Sequence, residues 1–450
     1  MIPLVAASLL LSSGDPVADA YRLLVDRGAT PGLAWAQVRD GRVIRHGEYG
    51  YADLENRVRV RRETKFEIGS MTKQFTAAIV SLLAQEGKLG LDDPAGKYLT
   101  DLPEEWRPLT LRRLLSHTAG LKDYLGAMSI TETRYFPPKE IVDKMGKSKL
   151  DFAPGTSWSY SNTGYHVLSM IIEKIDGKPL AQSMQDRLFK PLGMKDTGSS
   201  LPDEVLANRA RGYMRAAKGW KNTPTINPSL AFGAGFLVST LDDLALWQKA
   251  LQSGKIPTEE MWKPVALNDG RLWNYGLGWM IEPIDGKTIV YHGGNTVGQS
   301  ANILMMPNRR EALVVLTNAS GLNPGAQSRY VAGLLDPKLS MEGRAKADPN
   351  PRQTLEFAVV LRKWGRNVAD TSMFSPEFNG TLSTLRGVSL RQALGSLGKA
   401  MKTLTYIDED RFGEDRWVRY RLDLGKASGY MVFRWSPQGK VVQIDQVYAH

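Results

Sequence analysis

Ser70-Met71-Thr72-Lys73 sets a hydroxyl and an amine three residues apart, a spacing that a helix places on one face. A serine hydroxyl is a weak nucleophile until a neighbour takes its proton, and an amine at this spacing is within reach to do so. Where the serine opens the helix, free N–H groups and the positive end of the helix dipole favour the anion formed when a carbonyl is attacked. The spacing alone is common: Ser396-Leu397-Gly398-Lys399 repeats it with nothing chemical around it and reads as helix surface. Company separates the two. Tyr160-Ser161-Asn162 is the only Tyr-x-Asn in the chain, and His292-Gly293-Gly294 follows a strand-like run from Thr288 to Tyr291. No serine has glycine at both ±2 positions, and neither GxxxxGK[ST] nor GxGxxG occurs, so nucleotide chemistry and the α/β-hydrolase elbow are excluded.

Composition narrows the nucleophile further. The 450 residues include no cysteine, which removes thiolate catalysis, disulfides and cysteine-ligated metals. The five histidines, His46, His117, His166, His292 and His450, have no metal-binding spacing, so no metal and no cofactor is expected. His46 and His166 read as surface or packing histidines, and His117 is left out of the site as structural. A hydrophobic fraction of 42% and a charged fraction of 23% describe a globular chain, and 450 residues exceed one ordinary core. The net charge of +11 is spread: residues 351–450 hold 15 basic and 10 acidic side chains, net +5, leaving +6 for the rest. No nucleic-acid partner is implied, and the alternation Arg57, Arg59, Arg61, Arg62 with Val58 and Val60 reads as one solvated strand face. Ile2 to Leu11 is an apolar run too short to span a bilayer. Residues 1–14 therefore read as a signal peptide, which predicts a periplasmic or secreted protein with no transmembrane segment, although no Lys or Arg precedes the run.

The elements that must position these residues follow from periodicity. Leu33 to Asp53 alternates around Asp40-Gly41, a hairpin signal. Phe75, Ala78, Ile79, Leu82 and Leu83 recur at helical spacing from near Ser70 to Gly87, which predicts an amphipathic helix. Residues 90–260 read as mostly helical. Strand-like runs return at Tyr275–Ile281, Thr288–Tyr291, Ala301–Met306 and Ala312–Thr317, so strands from both ends should form one sheet with a helical region inserted between them. Trp158, Tyr275 and Trp279 could line a cleft or fill the core. Residues 336–353 read as a linker. Beyond it, helices at Thr354–Asp370 and Val388–Thr403 and three strands at Arg416–Leu422, Gly429–Trp435 and Lys440–Tyr448 predict a small α+β domain over 354–450.

The three elements, in this order, resemble the serine β-lactamase and penicillin-binding-protein superfamily, especially its class C-like branch of esterases and D-aminopeptidases. The likeness covers residues 15–335 and extends to Leu114-Leu115-Ser116-His117-Thr118-Ala119-Gly120-Leu121, Phe152-Ala153-Pro154-Gly155 and Pro191-Leu192-Gly193-Met194. It implies an α+β fold of β-lactamase/transpeptidase type, an antiparallel sheet flanked by helices with an inserted helical region. The small C-terminal domain looks like an NTF2-like or cystatin-like fold. The resemblance implies Ser70 as the nucleophile of an acyl-enzyme, with Lys73 and Tyr160 moving its proton, either of them as the base. A nearby ammonium should lower the pKa of Tyr160. By the same likeness Asn162, His292, Gly293 and Gly294 bind substrate, and the backbone N–H groups of Ser70 and Asn295 form the oxyanion hole.

One departure bears on substrate. β-Lactamases and transpeptidases usually carry Lys-Thr-Gly where this chain has His292-Gly293-Gly294, so an imidazole largely neutral at pH 7 replaces a fixed ammonium. The resemblance then implies small-molecule esters, or amides and peptides with D-residues, as substrates. A β-lactamase or D,D-carboxypeptidase, and a non-catalytic envelope sensor, are the alternatives. Oligomeric state is left open.

Overall fold

The computed structural model describes residues 14–449, except 130, 133, 201–204, 341–345, 383–384 and 426–427. The signal-peptide expectation therefore lies outside the described residues but for Gly14. Two compact units emerge: one runs through Glu282 and resumes over Thr288–Val331, and the other comprises Pro283–Lys287 and the described chain from Ala332 onward.

The larger unit is α+β. Its main sheet contains β1 (Gly32–Arg39), β2 (Arg42–Asp53), β3 (Val58–Arg59), β4 (Met280–Ile284), β5 (Lys287–Asn295), β6 (Ser300–Met306) and β7 (Glu311–Thr317). The spatial order is β4-β5-β6-β7-β1-β2-β3, so the last strand of the C-terminal meander pairs antiparallel with the first strand of the N-terminal hairpin. The hairpin turns at Asp40 and Gly41, both with positive φ (49° and 76°), the geometry that Asp-Gly supplies with least strain. The basic alternation after β2 is not one strand face. Only Val58–Arg59 is strand, Val60 is buried, Arg59 stacks on the Tyr51 ring at 4.4 Å, and Arg62 pairs with Asp242 at 2.9 Å. Tyr275 precedes β4 instead of beginning it, and is joined to Met280 by an isolated bridge.

Helix α1 (Thr72–Gln85) differs from its expected amphipathic character. Every residue from Thr72 to Ser81 is buried, polar ones included, so it is a central helix enclosed on all sides. Two of its polar side chains are tied to neighbouring segments: Trp247 Nε1 donates to Gln74 Oε1 at 2.9 Å, and Thr76 Oγ1 donates to the Gly233 carbonyl at 2.7 Å. Helix α2 (Asn162–Asp176) packs beside it and ends at Gly177 in the left-handed region.

The smaller unit holds α3 (Pro351–Gly365), α4 (Leu385–Ala400) and an antiparallel meander of β8 (Thr403–Phe412), β9 (Asp415–Asp423), β10 (Ser428–Trp435) and β11 (Val441–Ala449), paired in that order. Four strands stand where three were expected, because β8 hides its alternation. Its charged stretch Asp408–Arg411 follows a register shift between Tyr406 and Asp408, and there Asp408 and Asp410 both accept from the buried Arg419. The core is aromatic, with Phe357 of α3 lying 4.5 Å from Phe433 and 5.1 Å from Trp435 between ring centroids.

Candidate active site

Ser70 lies in a single turn of 3₁₀ helix, Gly69–Met71, that leads into α1. A short sheet of Phe66–Glu67, Leu237–Ser239 and Gly198–Ser199 delivers the chain to this turn, with Ile68 N–H donating to the Leu237 carbonyl at 2.9 Å. Gly69 adopts φ +48°, and a Cβ there would stand 2.8 Å from both N and O of Asn295. The turn that carries Ser70 and the end of β5 that carries Asn295 therefore touch backbone to backbone. Gly294 makes this approach possible, since a Cβ on it would overlap the Ile68 carbonyl oxygen. Gly293 differs: a Cβ there would meet nothing nearer than 3.6 Å.

Lys73 is fully buried one turn further along, while Ser70 is partly exposed. Its Nζ contacts Asn162 Oδ1 at 2.7 Å, the Ala234 carbonyl oxygen at 2.8 Å and Ser70 Oγ at 3.3 Å. Burial disfavours the ammonium and brings the Lys73 pKa down from 10.5 to about 7, a fall that the Asp123 carboxylate opposes. The Tyr160 ring presents its face to Nζ, 4.7 Å from the centroid. Asn162, the first residue of α2, donates through Nδ2 to both Asp123 oxygens at 2.9 and 3.2 Å. That contact fixes the amide with its oxygen towards Lys73.

Ser70, Lys73, Tyr160, Asn162 and Asn295 thus converge as the sequence implies. Two participants were not legible. Asp123 sits two residues beyond the Leu114–Leu121 word and carries no motif of its own. The Ala234 carbonyl is aimed by a kink at Phe232 (φ 37°, ψ −142°), inside the glycine-rich stretch Phe232–Phe236, which carries no motif either. Gly233 permits the kink, because a Cβ on it would overlap Ser169 Oγ.

His292 is placed in the site wall but offers substrate no free ring nitrogen. It is 4% exposed, Nδ1 lies 2.6 Å from the Gly293 carbonyl oxygen, and Nε2 lies 2.9 Å from Tyr275 Oη. Burial, reinforced by the Lys73 charge, pushes its pKa from 6.5 to about 3, so it is neutral. His117 is not merely packing: its ring contacts Tyr275 and the Ser161 N–H. Of the three aromatics noted, Tyr275 and Trp279 are buried, and Trp158 is partly exposed and stacks on Trp273. His166 is buried against the Pro138 carbonyl with its pKa lowered to about 4, and His46 is exposed beside Glu48.

Among the described residues no group of three His, Asp or Glu side chains is arranged to hold a metal ion, and no helix is long and apolar enough to cross a membrane.

Comparison with known proteins matches residues 17–336 to the family described as Beta-lactamase. The chain is 31% identical over 302 residues to penicillin-binding protein 4* of Bacillus subtilis, covering 62% of this chain and 66% of that one. It is 30% identical over 328 residues to a D-aminopeptidase of Brucella canis, covering 71% and 62%. The chain therefore spans slightly under two thirds of the length of these relatives. Among solved structures, D-amino acid amidase from Ochrobactrum anthropi SV3 complexed with D-phenylalanine superposes with a TM-score of 0.62 at 28% identity, covering 72% of this chain and 96% of that one. The octameric penicillin-binding protein homologue from Pyrococcus abyssi shares the fold over 95% of each chain, with a TM-score of 0.64 at 24% identity.

Proposed function

The chain belongs to the β-lactamase family, and on that premise we propose that it is a serine hydrolase that acylates Ser70 and acts on amides or peptides with D-residues, or on esters. The observation that carries this reading is the triple contact of Lys73 Nζ. A neutral amine has two N–H groups and one lone pair. The carbonyl oxygens of Asn162 and Ala234 take the two N–H groups, which leaves the lone pair facing the Ser70 hydroxyl. With a pKa of about 7, much of the enzyme holds that neutral form at neutral pH. This arrangement supports Lys73, over Tyr160, as the base of acylation.

The steps then follow. Ser70 Oγ bonds to the substrate carbonyl carbon as its proton passes to Lys73, and the new oxyanion faces the N–H groups of Ser70 and Asn295. The carbon–nitrogen or carbon–oxygen bond breaks, and the leaving amine or alcohol takes the proton back from Lys73, with the Tyr160 ring beside it. Water attacks the acyl-serine as its proton passes to Lys73, and Lys73 returns that proton to Ser70 Oγ as the acyl carbon–oxygen bond breaks. Asp123 supplies a negative charge at the site that suits the α-ammonium of an N-terminal residue, as an aminopeptidase substrate requires.

The β-lactamase and D,D-carboxypeptidase alternative is disfavoured by His292, whose neutral ring has both nitrogens engaged and so offers no cation to a substrate carboxylate. A sensor would acylate once and stop, whereas the intact Ser70, Lys73 and Asn162 array favours turnover. The test is a hydrolysis panel of short p-nitrophenyl esters, D-alanyl and L-alanyl p-nitroanilides and nitrocefin, with Ser70→Ala as the blank. We expect turnover of esters and D-anilides above L-anilides and nitrocefin. Absence of Ser70-dependent turnover on every substrate would overturn the proposal.

A further inference from the structure

A buried polar chain behind the site joins three separate segments: His117 is 2% exposed, Tyr275 0% and His292 4%. Proton positions in it follow by elimination. The Gly293 carbonyl oxygen can only accept, so His292 Nδ1, 2.6 Å away, carries a proton. Nε2 of the neutral ring is then an acceptor, and Tyr275 Oη at 2.9 Å donates to it. On the other side the Ser161 N–H donates to His117 Nδ1 at 3.1 Å, which leaves the His117 proton on Nε2, facing Tyr275 Oη at 3.2 Å. Tyr165 also hydrogen-bonds Tyr275, but it directs its own proton to the Leu115 carbonyl at 2.7 Å, so towards Tyr275 it only accepts, as a second acceptor beside His292 Nε2. Each of the three side chains is therefore donor to the next, and the chain runs one way, from the Ser161 N–H to the Gly293 carbonyl.

Both ends are backbone atoms of segments that hold chemistry. Ser161 lies between Tyr160 and Asn162, and Gly293 is two residues before Asn295. His117 itself is held at φ +62°, a conformation rarely kept by a non-glycine residue unless its surroundings fix it. We propose that His117 and Tyr275 are positioning residues, which with His292 lock the Tyr160–Asn162 segment to the Gly293–Asn295 segment through a one-way hydrogen-bond chain requiring opposite tautomers in the two histidines. The role of the histidine in His292-Gly293-Gly294 is then to align the oxyanion N–H with the Lys73–Asn162 pair, not to touch substrate. A misplacement of either segment by a fraction of an ångström lowers the rate of attack more than it weakens binding.

This rests on Ser70 being the nucleophile, but its first test does not. Nitrogen NMR of the full-length protein labelled with ¹⁵N-histidine, near neutral pH, reads each tautomer directly; signals are assigned by their loss in His117→Gln and His292→Gln. The expected pattern is Nε2–H at His117 and Nδ1–H at His292. The same tautomer in both rings, or a cationic His292, overturns the proposal whatever the enzyme's activity. The second test follows phosphonylation of Ser70 by a fluorophosphonate. Tyr275→Phe keeps the ring and removes the link; its maximal labelling rate should fall about tenfold or more while the half-saturating concentration changes less than about threefold. His117→Gln, whose amide can still donate to Tyr275, should retain more of that rate than His117→Leu. An unchanged maximal rate in folded Tyr275→Phe, or glutamine no better than leucine, overturns the proposal. A wild-type protein that is not labelled at all sinks the hydrolase reading and leaves the tautomer test to decide this one.

Discussion

The chain contains the same tetrad twice, once in each unit. Ser70 lies in the turn that leads into α1 and Lys73 in its first turn, whereas Ser396 and Lys399 lie in the last two turns of α4, and both pairs have the spacing that lets an amine reach a hydroxyl. Their surroundings are opposite. Lys73 is fully buried among carbonyl oxygens, while Ser396 and Lys399 are exposed. In α4 the glycine between them faces inward: a Cβ on Gly398 would overlap the Leu361 carbonyl of α3, so the tight helix contact turns the tetrad's polar side chains to solvent. The chemistry thus comes from what encloses the motif, and burial changes a lysine from a solvated cation into a base.

That contrast breaks most decisively at the serines. Ser70→Ala should lower fluorophosphonate labelling and ester hydrolysis by at least about 10³-fold, while Ser396→Ala leaves both at the wild-type level. Equal losses, or an adduct on Ser396 in the intact mass, would erase the distinction.

The lysines sharpen it through stability. The folded state holds the Lys73 proton less tightly than the unfolded chain, at about 7 against 10.5. The resulting cost to folding is full below about pH 7 and fades as pH rises to 10.5. Lys73→Met should therefore be more stable than wild type by about 3 kcal/mol at pH 6, after allowing for two carbonyl partners lost, with the gain disappearing towards pH 10.5. Lys399→Met should stay within about 0.5 kcal/mol throughout. Urea titrations across this pH range measure both; a pH-independent difference for Lys73→Met would contradict the burial argument.

A smaller effect belongs to Asp123, which has no counterpart beside Lys399. Asp123→Asn lets the Asn162 amide turn over and lose its hold on Lys73, so the labelling rate should fall about tenfold. Because the carboxylate raises the Lys73 pKa, its removal should also move the acid limb of the rate to lower pH. An unaltered limb would refute the electrostatic part. The mildest change is the wild-type profile itself, in which labelling should drop about fivefold from pH 7 to pH 6, as expected for a base with a pKa near 7.

Much of the site was legible because its residues announce themselves by type and spacing. Ser70, Lys73, Tyr160 and Asn162 need only a helix and a loop to meet, and local patterning predicts both. Asp123, the Ala234 carbonyl and the His117–Tyr275 link were not legible, since each acts through a long-range hydrogen bond that no periodicity encodes. His117 read as structural because a buried histidine between aromatics has the same local signature whether or not its nitrogens are engaged. The main sheet was visible in alternation, whereas β8 was not, because two acids beside a buried arginine imitate a loop. The charge-rich run 57–62 erred in the other direction, presenting a strand where only two residues pair.

The two adjacent glycines of β5 divide the freedom of this site to change. Position 294 admits no side chain without moving the strand off the nucleophile turn, so it is closed to substitution. Position 293 has room for one, its nearest neighbours being the Ala301 carbonyl oxygen at 3.6 Å and Asn302 Nδ2 at 3.7 Å. A threonine there, as in Lys-Thr-Gly enzymes, would bring its Cβ no closer than ordinary van der Waals contact. New specificity towards carboxylate-bearing substrates is thus sterically open at 293, and the barrier to it lies in the neighbouring histidine, which would have to leave its hydrogen-bond chain before a cation could take its place.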